Sequence, residues 1–427
     1  MLSRISRPQV YITDAAESVL RRKTAQWVHV YEGIQVPPTG RGSYNYLLWD
    51  IMERRKSNDL LIAKYYEDSY KLASEANSAI AYIDSRNSLN YPLEKLLKYM
   101  LSRLRDKPVI TPFLQSAIQL VKQSGCQRIL LWDAIYHLPA LRYYLPNCTI
   151  AFAQRHYSYP LSISHYQFCD LLITHTHGQI ELAYERVESL TPYAVAIMNG
   201  VEVERFHPPS PTEKQEHRAK LGIPKESFVL IFPSRLAPEK GTYYLERWIH
   251  LCHDQHPNWH FLVVGHPQPE KTPAAFQRRL EATLKNMDNV TWIPGVSRND
   301  MPKYYQASDI CLLPAVWREG GSMSCLEAMA SGVPSIASAR GVFPEIIKDG
   351  YNGMLMRPHY LTQDFFNAIQ ILQNDQDLLD KMSRNARLYA ETKLTRSKTL
   401  RNFDAFLEGR FEDIDNDLSI PSGDHIL

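Results

Sequence analysis

Residues 310–334 of the chain read ICLLPAVWREGGSMSCLEAMASGVP. The stretch opens with four apolar residues, passes through Gly320, Gly321 and Ser322, and then takes up the spacing of a helix. A short apolar run that ends in a turn is typical of a strand buried on both faces, as in a parallel sheet. Residues 310–334 therefore predict a buried strand that leads through a tight turn into a helix.

The same alternation of short apolar runs with helical stretches extends over the whole chain. One clear helical stretch is residues 91–105, where leucines and a methionine recur on one face. Such alternation is typical of parallel sheets covered by helices, that is, of the α/β class. The predicted strands of the first half are Trp27–Tyr31, residues 129–132, Thr149–Ala153, Leu171–Thr174 and residues 194–198. Those of the second half are Phe228–Phe232, residues 260–264, Val290–Ile293, Ile310–Leu313 and residues 335–337.

A proline cluster at residues 208–212 separates the two halves and predicts a linker. We therefore predict two doubly wound domains, residues 1–207 and 208–394, with their sheets facing each other across a cleft. Ligands favour the carboxyl edge of a parallel sheet, so the cleft is the predicted site. A last helix at residues 395–411 is expected to pack back on the first domain. The acidic tail at residues 412–427 is expected to be loose.

The charges of the chain almost cancel, with 48 Lys and Arg against 46 Asp and Glu and a net charge of +2. This balance argues against a protein that binds nucleic acid through bulk electrostatics. The six cysteines lack the spacing of metal ligands, which indicates free thiols in a reducing compartment. Residues 1–23 have no apolar core of a secretory signal, and no apolar run reaches the roughly 18 residues of a membrane span. A soluble, cytoplasmic protein is expected.

Glu319 and Glu327 are the first candidate site residues. Glu319 stands at the predicted turn and Glu327 in the helix, with seven residues between them. At about 3.6 residues per turn the two carboxylates are predicted to share a face, one near each end of an elongated ligand. Gly320, Gly321 and Ser322 let a ligand approach the backbone, and the helix N-terminus offers amides to an anion. The alternative is a capped helix with two solvated glutamates.

A second motif, SRLAPEKG at residues 234–241, directly follows the predicted strand Phe228–Phe232. Its cations Arg235 and Lys240 fit a diphosphate, because Arg bonds two oxygens at once and Lys supplies a point charge. A surface loop with ordinary cations is the alternative. The motif is neither a Walker loop nor a GxGxxG fingerprint, so ATP hydrolysis and NAD binding find no support.

Two weaker motifs come from the first half. Gly40 and Gly42, within TGRGSY at residues 39–44, permit a tight turn whose amides contact phosphate or sugar. A turn without a ligand is equally consistent. His156 follows the predicted strand Thr149–Ala153 at the edge of the cleft, where it can hydrogen-bond a polar substrate. A structural histidine is the alternative.

Together these motifs resemble the retaining GT-B glycosyltransferases of family four, the glycosyl transferases group 1, whose domains are Rossmann-like. The second domain resembles the family throughout. The first domain does so at the glycine loop, at His156 and in the segment around Asn199. The likeness is carried by the Arg235/Lys240 loop, the Glu319/Glu327 pair with residues 327–334, residues 198–206 (MNGVEVERF), residues 343–353 (FPEIIKDGYNG) and residues 39–44.

The resemblance implies a role for each matching residue. Arg235 and Lys240 match the pair that neutralises the diphosphate leaving group of a nucleotide sugar. Glu319 matches the carboxylate at the donor sugar, and Glu327 the one that accepts the ribose hydroxyls. His156 matches a histidine near the reacting carbon, so His156 and Glu319 are the candidate catalytic residues. The other implied donor contacts are the amides of Ser322 and Met323, Val296 beside the base, and the loop with Gly40 and Gly42.

The implied activity is a hexosyltransferase reaction that moves a sugar from a nucleoside-diphosphate sugar to a hydroxyl acceptor with retention. No metal or other cofactor is expected, because two cations and a helix N-terminus stabilise the departing diphosphate. A GT-B nucleotide-sugar epimerase and a sugar-nucleotide-binding partner subunit with little or no turnover are the alternatives.

The donor base, the donor sugar and the acceptor stay open, and a glycan, a glycolipid and a small molecule all fit. The basic side of residues 91–105 fits docking of a lipid-linked acceptor at the inner membrane surface, and a solvated helix face is the alternative. Arg41, Ser322 and the pair Trp317 and Arg318 depart from the family pattern. These departures concern the sugar and the acceptor and leave the reaction type unchanged.

Overall fold

The structure of the chain, a computed structural model, describes residues 8–33, 36, 43–55, 58–84, 108, 110–155, 163–186, 193–269, 271–359 and 361–421. The chain forms two compact units. The first consists of Met1–Ile197 and Phe403–Glu412, and the second of Met198–Asn402 and Asp413–Leu427.

The described part of the first unit is built on an eight-stranded sheet with the order β1-β4-β3-β2-β5-β6-β7-β8. Neighbouring strands are parallel, except that β1 pairs antiparallel with β4 at one edge. The predicted parallel sheet is confirmed, and β1, β3 and β4 are additional to the predicted strands. The strands are β1 Gln9–Ile12, β2 Trp27–Tyr31, β3 Asp59–Lys64, β4 Ile80–Asp84, β5 Arg128–Trp132, β6 Thr149–Ala153, β7 Leu171–Thr174 and β8 Tyr193–Ala196.

Helices connect these strands, and Pro112–Ser124 illustrates how the sequence bounds them. Its N-cap residue Thr111 accepts a hydrogen bond from the amide of Leu114 at 3.0 Å, and Gly125 ends the helix with a φ of +67°. The predicted helix at residues 91–105 lies outside the described residues. The α-helices in the described part of the first unit are Asp14–Arg22, Ser43–Arg54, Glu67–Glu75, Pro112–Ser124, Leu138–Tyr144 and His177–Arg186.

The second unit contains a six-stranded sheet that is parallel throughout its described part, with the order β11-β10-β9-β12-β13-β14. In β9, Val229 and Ile231 pack into one hydrophobic core, whereas Leu230 and Phe232 pack into another. Successive side chains of a strand point to opposite faces, so both faces of this sheet are covered, as predicted. The strands are β9 Phe228–Phe232, β10 Trp259–Val264, β11 Val290–Ile293, β12 Ile310–Leu313, β13 Ser335–Ser338 and β14 Gly353–Met356.

The helices of the second unit begin inside the predicted proline linker. Ser210 is an N-cap residue that forms a capping box with Glu213, and Pro211 occupies the first turn, where a proline is well tolerated. The linker prediction is therefore wrong from Pro211 onward. The helices are Pro211–Lys220, Thr242–Gln255, Ala274–Asn286, Met301–Gln306, Met323–Ala330, Phe343–Ile346, Leu361–Asn374, Gln376–Lys393 and Arg396–Glu408, the last of which continues into the first unit.

The two units divide between Ile197 and Met198, before the predicted boundary at residue 208. Val201 and Phe206 explain the difference, because both are buried in a core of the second unit. The segment that resembles the family motif at residues 198–206 therefore belongs to the second unit.

Residues 403–412 complete the first unit. The indole Nε1 of Trp27 donates to the carbonyl oxygen of Leu407 at 2.8 Å, and both groups are buried. Phe403 stacks on Trp132 with 5.6 Å between the ring centroids.

The acidic segment after this helix is attached to the second unit, in contrast to the loose tail that its composition predicted. Asp415 lies 3.0 Å from Lys398, and Asp417 forms an ion pair with Lys393. The hydroxyl of Tyr389 donates to the carbonyl oxygen of Leu418 at 2.6 Å. Charge pairs and one buried hydroxyl therefore order residues that composition alone marks as flexible.

Candidate functional site

Two loops of the second unit leave its sheet side by side. β9 and β12 are paired in parallel, so the loops that follow them, residues 233–241 and 314–322, start at the same carboxyl edge. One loop carries Arg235 and Lys240, and the other carries Glu319. The sheet thus brings together residues that are far apart in the sequence.

Lys240 and Glu319 form an ion pair at this edge. Lys240 Nζ lies 2.5 Å from Glu319 Oε1, and the two side chains are 20% and 16% exposed. Gly241 permits this approach, because its φ is +81° and a Cβ there would overlap the carbonyl oxygen of Pro314. The amide of Val316 also donates to the carbonyl oxygen of Glu239 at 3.1 Å. The backbones of the two loops are therefore joined beside the ion pair.

Arg235 contacts the loop that follows β10. Its Nη1 donates to Gln268 Oε1 at 3.2 Å, and its Nη2 lies 3.7 Å from Glu239 Oε1. Glu239 also lies 3.3 Å from Lys271 Nζ. Burial raises the pKa of Glu239, but a hydrogen bond from its own amide and the charges of Lys271 and Arg235 hold it below its ordinary value. Arg235 stays 43% exposed and thus keeps hydrogen-bonding capacity.

The helix Met323–Ala330 begins at the same edge. Ser322 is its N-cap residue, is buried, and makes no side-chain capping hydrogen bond. The first amides of the helix therefore receive no cap from Ser322 and can donate to an anion. Ser324 Oγ donates to the carbonyl oxygen of Pro233 at 2.7 Å, which fixes the helix start against the loop that follows β9.

The turn that carries Glu319 is held on two sides. Asn199 Nδ2 donates to the carbonyl oxygen of Gly321 at 3.1 Å, and the amide of Val342 donates to the carbonyl oxygen of Glu319 at 2.9 Å. Gly341 has a φ of +60°, and a Cβ there would overlap the backbone of Glu319. Packing thus fixes the backbone of Glu319.

Glu327 lies inside the helix and is 8% exposed. The buried hydroxyl of Tyr305 donates to Glu327 Oε2 at 3.0 Å. Burial raises the pKa of Glu327 to about 7, against the Tyr305 hydrogen bond and the charges of Arg298 and Arg205. Glu327 therefore exchanges its proton near neutral pH, and a solvated glutamate at this position is excluded.

Glu319 and Glu327 do not share a helix face, so this prediction is wrong. The helix begins at Met323, after Glu319, and the helical period does not extend back to the turn. The two carboxylates instead differ in environment, since one pairs with a lysine and the other is buried under a tyrosine hydroxyl.

The sequence patterns did not single out the polar groups around Glu327. Arg205 Nη1 and Arg298 Nη2 lie 3.0 and 3.3 Å from Glu202 Oε2. Arg298 follows shortly after Val296, which is partly buried against the core of the second unit. The sequence pointed to Arg298 only through its position near Val296, the predicted base-binding residue. No sequence pattern pointed to Tyr305.

In the first unit, Gly40, Gly42 and His156 lie outside the described residues, and their roles stay predictions. A different pair occupies the carboxyl edge of this sheet. Glu32 directly follows β2, and His137 follows the neighbouring β5. His137 Nε2 lies 2.6 Å from Glu32 Oε2, with exposed fractions of 2% and 7%. The sequence patterns missed this pair because its members come from two separate stretches of the chain.

Residues 213–389 match the family model of the glycosyl transferases group 1. The chain carries a glycosyl transferases group 1 domain. This domain contains both loops and the Met323–Ala330 helix. The predicted resemblance of the second domain to this family is thereby confirmed.

Spore coat protein SA of Bacillus subtilis is 31% identical to the chain over 198 residues, which cover 45% of the chain and 51% of that protein. D-inositol 3-phosphate glycosyltransferase of Streptomyces griseus is 26% identical over 241 residues, which cover 52% and 50%. The chain spans about half the length of these curated relatives.

Similarity to solved structures extends over both units. HepE of Anabaena in complex with UDP matches with a TM-score of 0.70 at 17% identity, over 90% of this chain and 99% of that chain. The two parallel-sheet units thus have the GT-B class of fold, as predicted.

Within the described ranges, no helix combines the length and apolar character needed to cross a membrane. Among the same residues, no group of three or more His, Cys, Asp or Glu side chains is arranged to hold a metal ion. Independence from metals stays a prediction.

Proposed function

We propose that the chain is a glycosyltransferase that moves a sugar from a nucleoside-diphosphate sugar to a hydroxyl acceptor, with retention and without a metal. The observation that carries the proposal is the Lys240–Glu319 ion pair, which joins the loops after β9 and β12 within the matched family domain. The UDP complex of HepE supports a nucleotide donor.

The proposed chemistry begins at the diphosphate. Breaking the bond to the sugar leaves negative charge on the diphosphate, and Lys240, Arg235 and the amides at Ser322 and Met323 stabilise it. Preorganised charges and dipoles of this kind stabilise a transition state without moving during the reaction. Retention follows if the acceptor attacks from the face that the diphosphate leaves, with the departing phosphate taking the acceptor proton.

The remaining contacts to the donor are assigned to residues of both units. Glu327 accepts the ribose hydroxyls, Val296 lies beside the base, and Glu319 binds hydroxyls of the transferred sugar. His156 contacts the sugar near the reacting carbon. Glu327 suits its role because a buried carboxylate with few competing donors gains most from a hydroxyl ligand.

We assign acceptor binding to the first unit and a donor-binding role to Gly40 and Gly42. The acceptor is a glycan, a glycolipid or a small molecule with a free hydroxyl. We propose that the reaction takes place in the cytoplasm, with the inner membrane surface as the location if the acceptor is lipid-linked.

The experiment is a thermal-shift screen of the chain with UDP- and GDP-sugars, followed by a transfer assay with the sugar that binds. A ligand that binds the folded form raises the melting temperature. Lys240→Ala is expected to lower transfer by about 100-fold or more, as loss of a preorganised charge does. NMR of the product reports retention, and assays with EDTA test the absence of a metal requirement.

Lys214→Ala provides a matched control. Lys214 Nζ lies 2.7 Å from Asp309 Oδ1, at the opposite, amino end of β12, with exposed fractions of 30% and 12%. This variant also removes a lysine–carboxylate pair but is expected to keep the transfer rate. Equal rates in Lys240→Ala and the wild type contradict the proposal. Binding without any turnover supports the partner-subunit alternative instead.

A further inference from the structure

Arg340 lies beside Glu319 but belongs to the next strand. β13 pairs in parallel with β12, and Arg340 follows β13 at the same carboxyl edge. Its amide donates to the carbonyl oxygen of Ser338 at 2.6 Å. The next residue, Gly341, is packed against the backbone of Glu319. The backbone of Arg340 is therefore fixed next to the proposed sugar-binding turn.

The guanidinium of Arg340 has an unsatisfied donor. Its Nε is shielded from solvent and has no hydrogen-bond acceptor among the described residues. In Arg218 of the same unit, by contrast, Nε donates to the carbonyl oxygen of Ala307 at 2.9 Å. A shielded donor without a partner destabilises the folded state, and a ligand that supplies an acceptor removes this penalty.

The strand order places Arg340 on the sugar side of the site. Val296 follows β11, Arg235 and Lys240 follow β9, Glu319 follows β12, and Arg340 follows β13, in the order of the strands across the sheet. Neighbouring strands are about 4.8 Å apart, so Arg340 starts about 10 Å from the diphosphate loop. The residues proposed to bind the base, the diphosphate and the sugar therefore succeed one another along this sheet edge, and the cation Arg340 comes next.

We propose that Arg340 binds a carboxylate on the donor sugar, so that the donor is a nucleoside-diphosphate uronic acid. This inference rests on the proposed function. Lys240 already neutralises Glu319, so Arg340 adds a positive charge where a neutral hexose has no anion. The planar guanidinium matches a carboxylate with two parallel hydrogen bonds, and its Nε is one of the donors suited to that fork.

Calorimetric titration of the full chain tests the proposal. The probes are UDP, UDP-glucose and UDP-glucuronate, with GDP, GDP-mannose and GDP-mannuronate as the second series. The wild type is expected to bind the uronate about 10- to 100-fold more tightly than the neutral sugar of the same base, as a charge-assisted hydrogen bond provides. Arg340→Gln is expected to abolish this preference and to leave the affinity for UDP or GDP unchanged. Arg340→Lys is expected to retain part of the preference.

Arg278→Gln is the control, because Arg278 is exposed on the Ala274–Asn286 helix and the variant changes the net charge equally. Equal binding of uronate and neutral sugar by the wild type overturns the inference. An equal loss for UDP, neutral sugar and uronate in Arg340→Gln also overturns it, because Arg340 then acts at the diphosphate. In both cases nucleotide binding that depends on Lys240 leaves the proposed function standing. If no nucleotide or nucleotide sugar binds, the proposed function and this inference both fail.

Discussion

Lys240 Nζ lies 2.5 Å from Glu319 Oε1. Lys240 is proposed to bind the diphosphate and Glu319 the sugar. The two members of one ion pair are thus proposed to contact the groups on either side of the bond that breaks. An incoming diphosphate competes with Glu319 for Lys240, and an incoming sugar hydroxyl competes with Lys240 for Glu319. A complete nucleotide sugar satisfies both partners at once, whereas a nucleotide alone leaves the carboxylate facing the phosphate.

Glu319→Gln is therefore expected to weaken the distinction between a nucleotide sugar and its nucleotide. The amide releases Lys240, so the affinity for UDP is expected to stay equal or to rise severalfold, while the additional affinity from the sugar falls. Calorimetric titration of UDP and of the bound UDP-sugar measures both. Glu281→Gln, which removes a half-buried carboxylate 4.0 Å from Lys285, is the control. A loss of UDP affinity in Glu319→Gln as large as in Lys240→Ala contradicts this account of the ion pair.

The pKa of Glu327 makes folding stability depend on pH. Burial raises this pKa from 4.5 to about 7, so the folded state binds a proton more tightly than the unfolded chain between these values. The contribution of Glu327 to the free energy of unfolding is thus largest at low pH and falls as pH rises through this window, by about 1.4 kcal/mol per pH unit. Urea unfolding of the wild type and Glu327→Gln at pH 5, 6 and 7 measures the difference.

In that comparison, Glu327→Gln is expected to gain stability relative to the wild type as pH rises. For Glu226→Gln, at an exposed position, the free energy of unfolding is expected to change with pH as it does in the wild type. A constant difference between the wild type and Glu327→Gln across pH 5–7 shows that the pKa of Glu327 is not raised.

The same proton exchange is expected to control donor binding. In the proposed donor complex, ribose hydroxyls donate to the ionised carboxylate of Glu327, which forms as pH rises through about 7. The affinity of the wild type for UDP is expected to increase between pH 6 and 8, and Glu327→Gln is expected to bind more weakly and with a flatter profile. Titrations in buffers of equal ionic strength measure this profile. An equally steep profile in Glu327→Gln assigns the titration to another group.

Gly341→Ala tests whether the backbone of Glu319 is held by packing. A Cβ at Gly341 overlaps Glu319, and φ is +60°, so both strain and a clash are expected, with a loss of about 2–5 kcal/mol of unfolding free energy. Gly350 is the matched control, because its φ is +74° and nothing lies within 4 Å of an added Cβ. Gly350→Ala is expected to lose about 1–2 kcal/mol from strain alone. Equal losses in the two variants, measured by urea unfolding, refute the packing argument.

Removal of residues 413–427 tests the attachment of the acidic segment. The truncation leaves the buried Tyr389 hydroxyl without its acceptor and removes Leu418 and Ile420 from the core of the second unit. A loss of about 2–4 kcal/mol, and a lower melting temperature, is expected from these two effects. A chain that ends at Pro421 keeps every one of these contacts and serves as the control. Identical melting temperatures for the two truncations favour a loose segment.

The sequence predicted most of the second sheet and its neighbouring motifs, because β9 and β12 are apolar runs and their loops carry Arg235, Lys240 and Glu319 in short patterns. It also predicted a parallel sheet for the first unit. Where it failed, the deciding interaction was distant in the chain. The partner of Glu319 is 79 positions away, and no local pattern encodes it.

Helical period and acidic composition also gave wrong predictions at positions where tertiary contacts determine the structure. The helical period suggested a shared face for Glu319 and Glu327, but the chain turns before it becomes helical at Met323. The acidic residues Asp415 and Asp417 suggested disorder, but Lys398 and Lys393 pair with them. Arg340 has no pattern of its own, and its significance depends on a neighbouring strand.

The first unit contains residues 1–197 and 403–412, and this division constrains how the protein is made. Trp27 receives its hydrogen-bond acceptor from Leu407, a residue synthesised 380 positions later. When the first 197 residues have emerged from the ribosome, their sheet still lacks Phe403, which stacks on Trp132 in the folded protein. Domains usually fold in the order in which they leave the ribosome. Here the domain that starts first is finished last, after residues 198–402 of the other domain have already emerged.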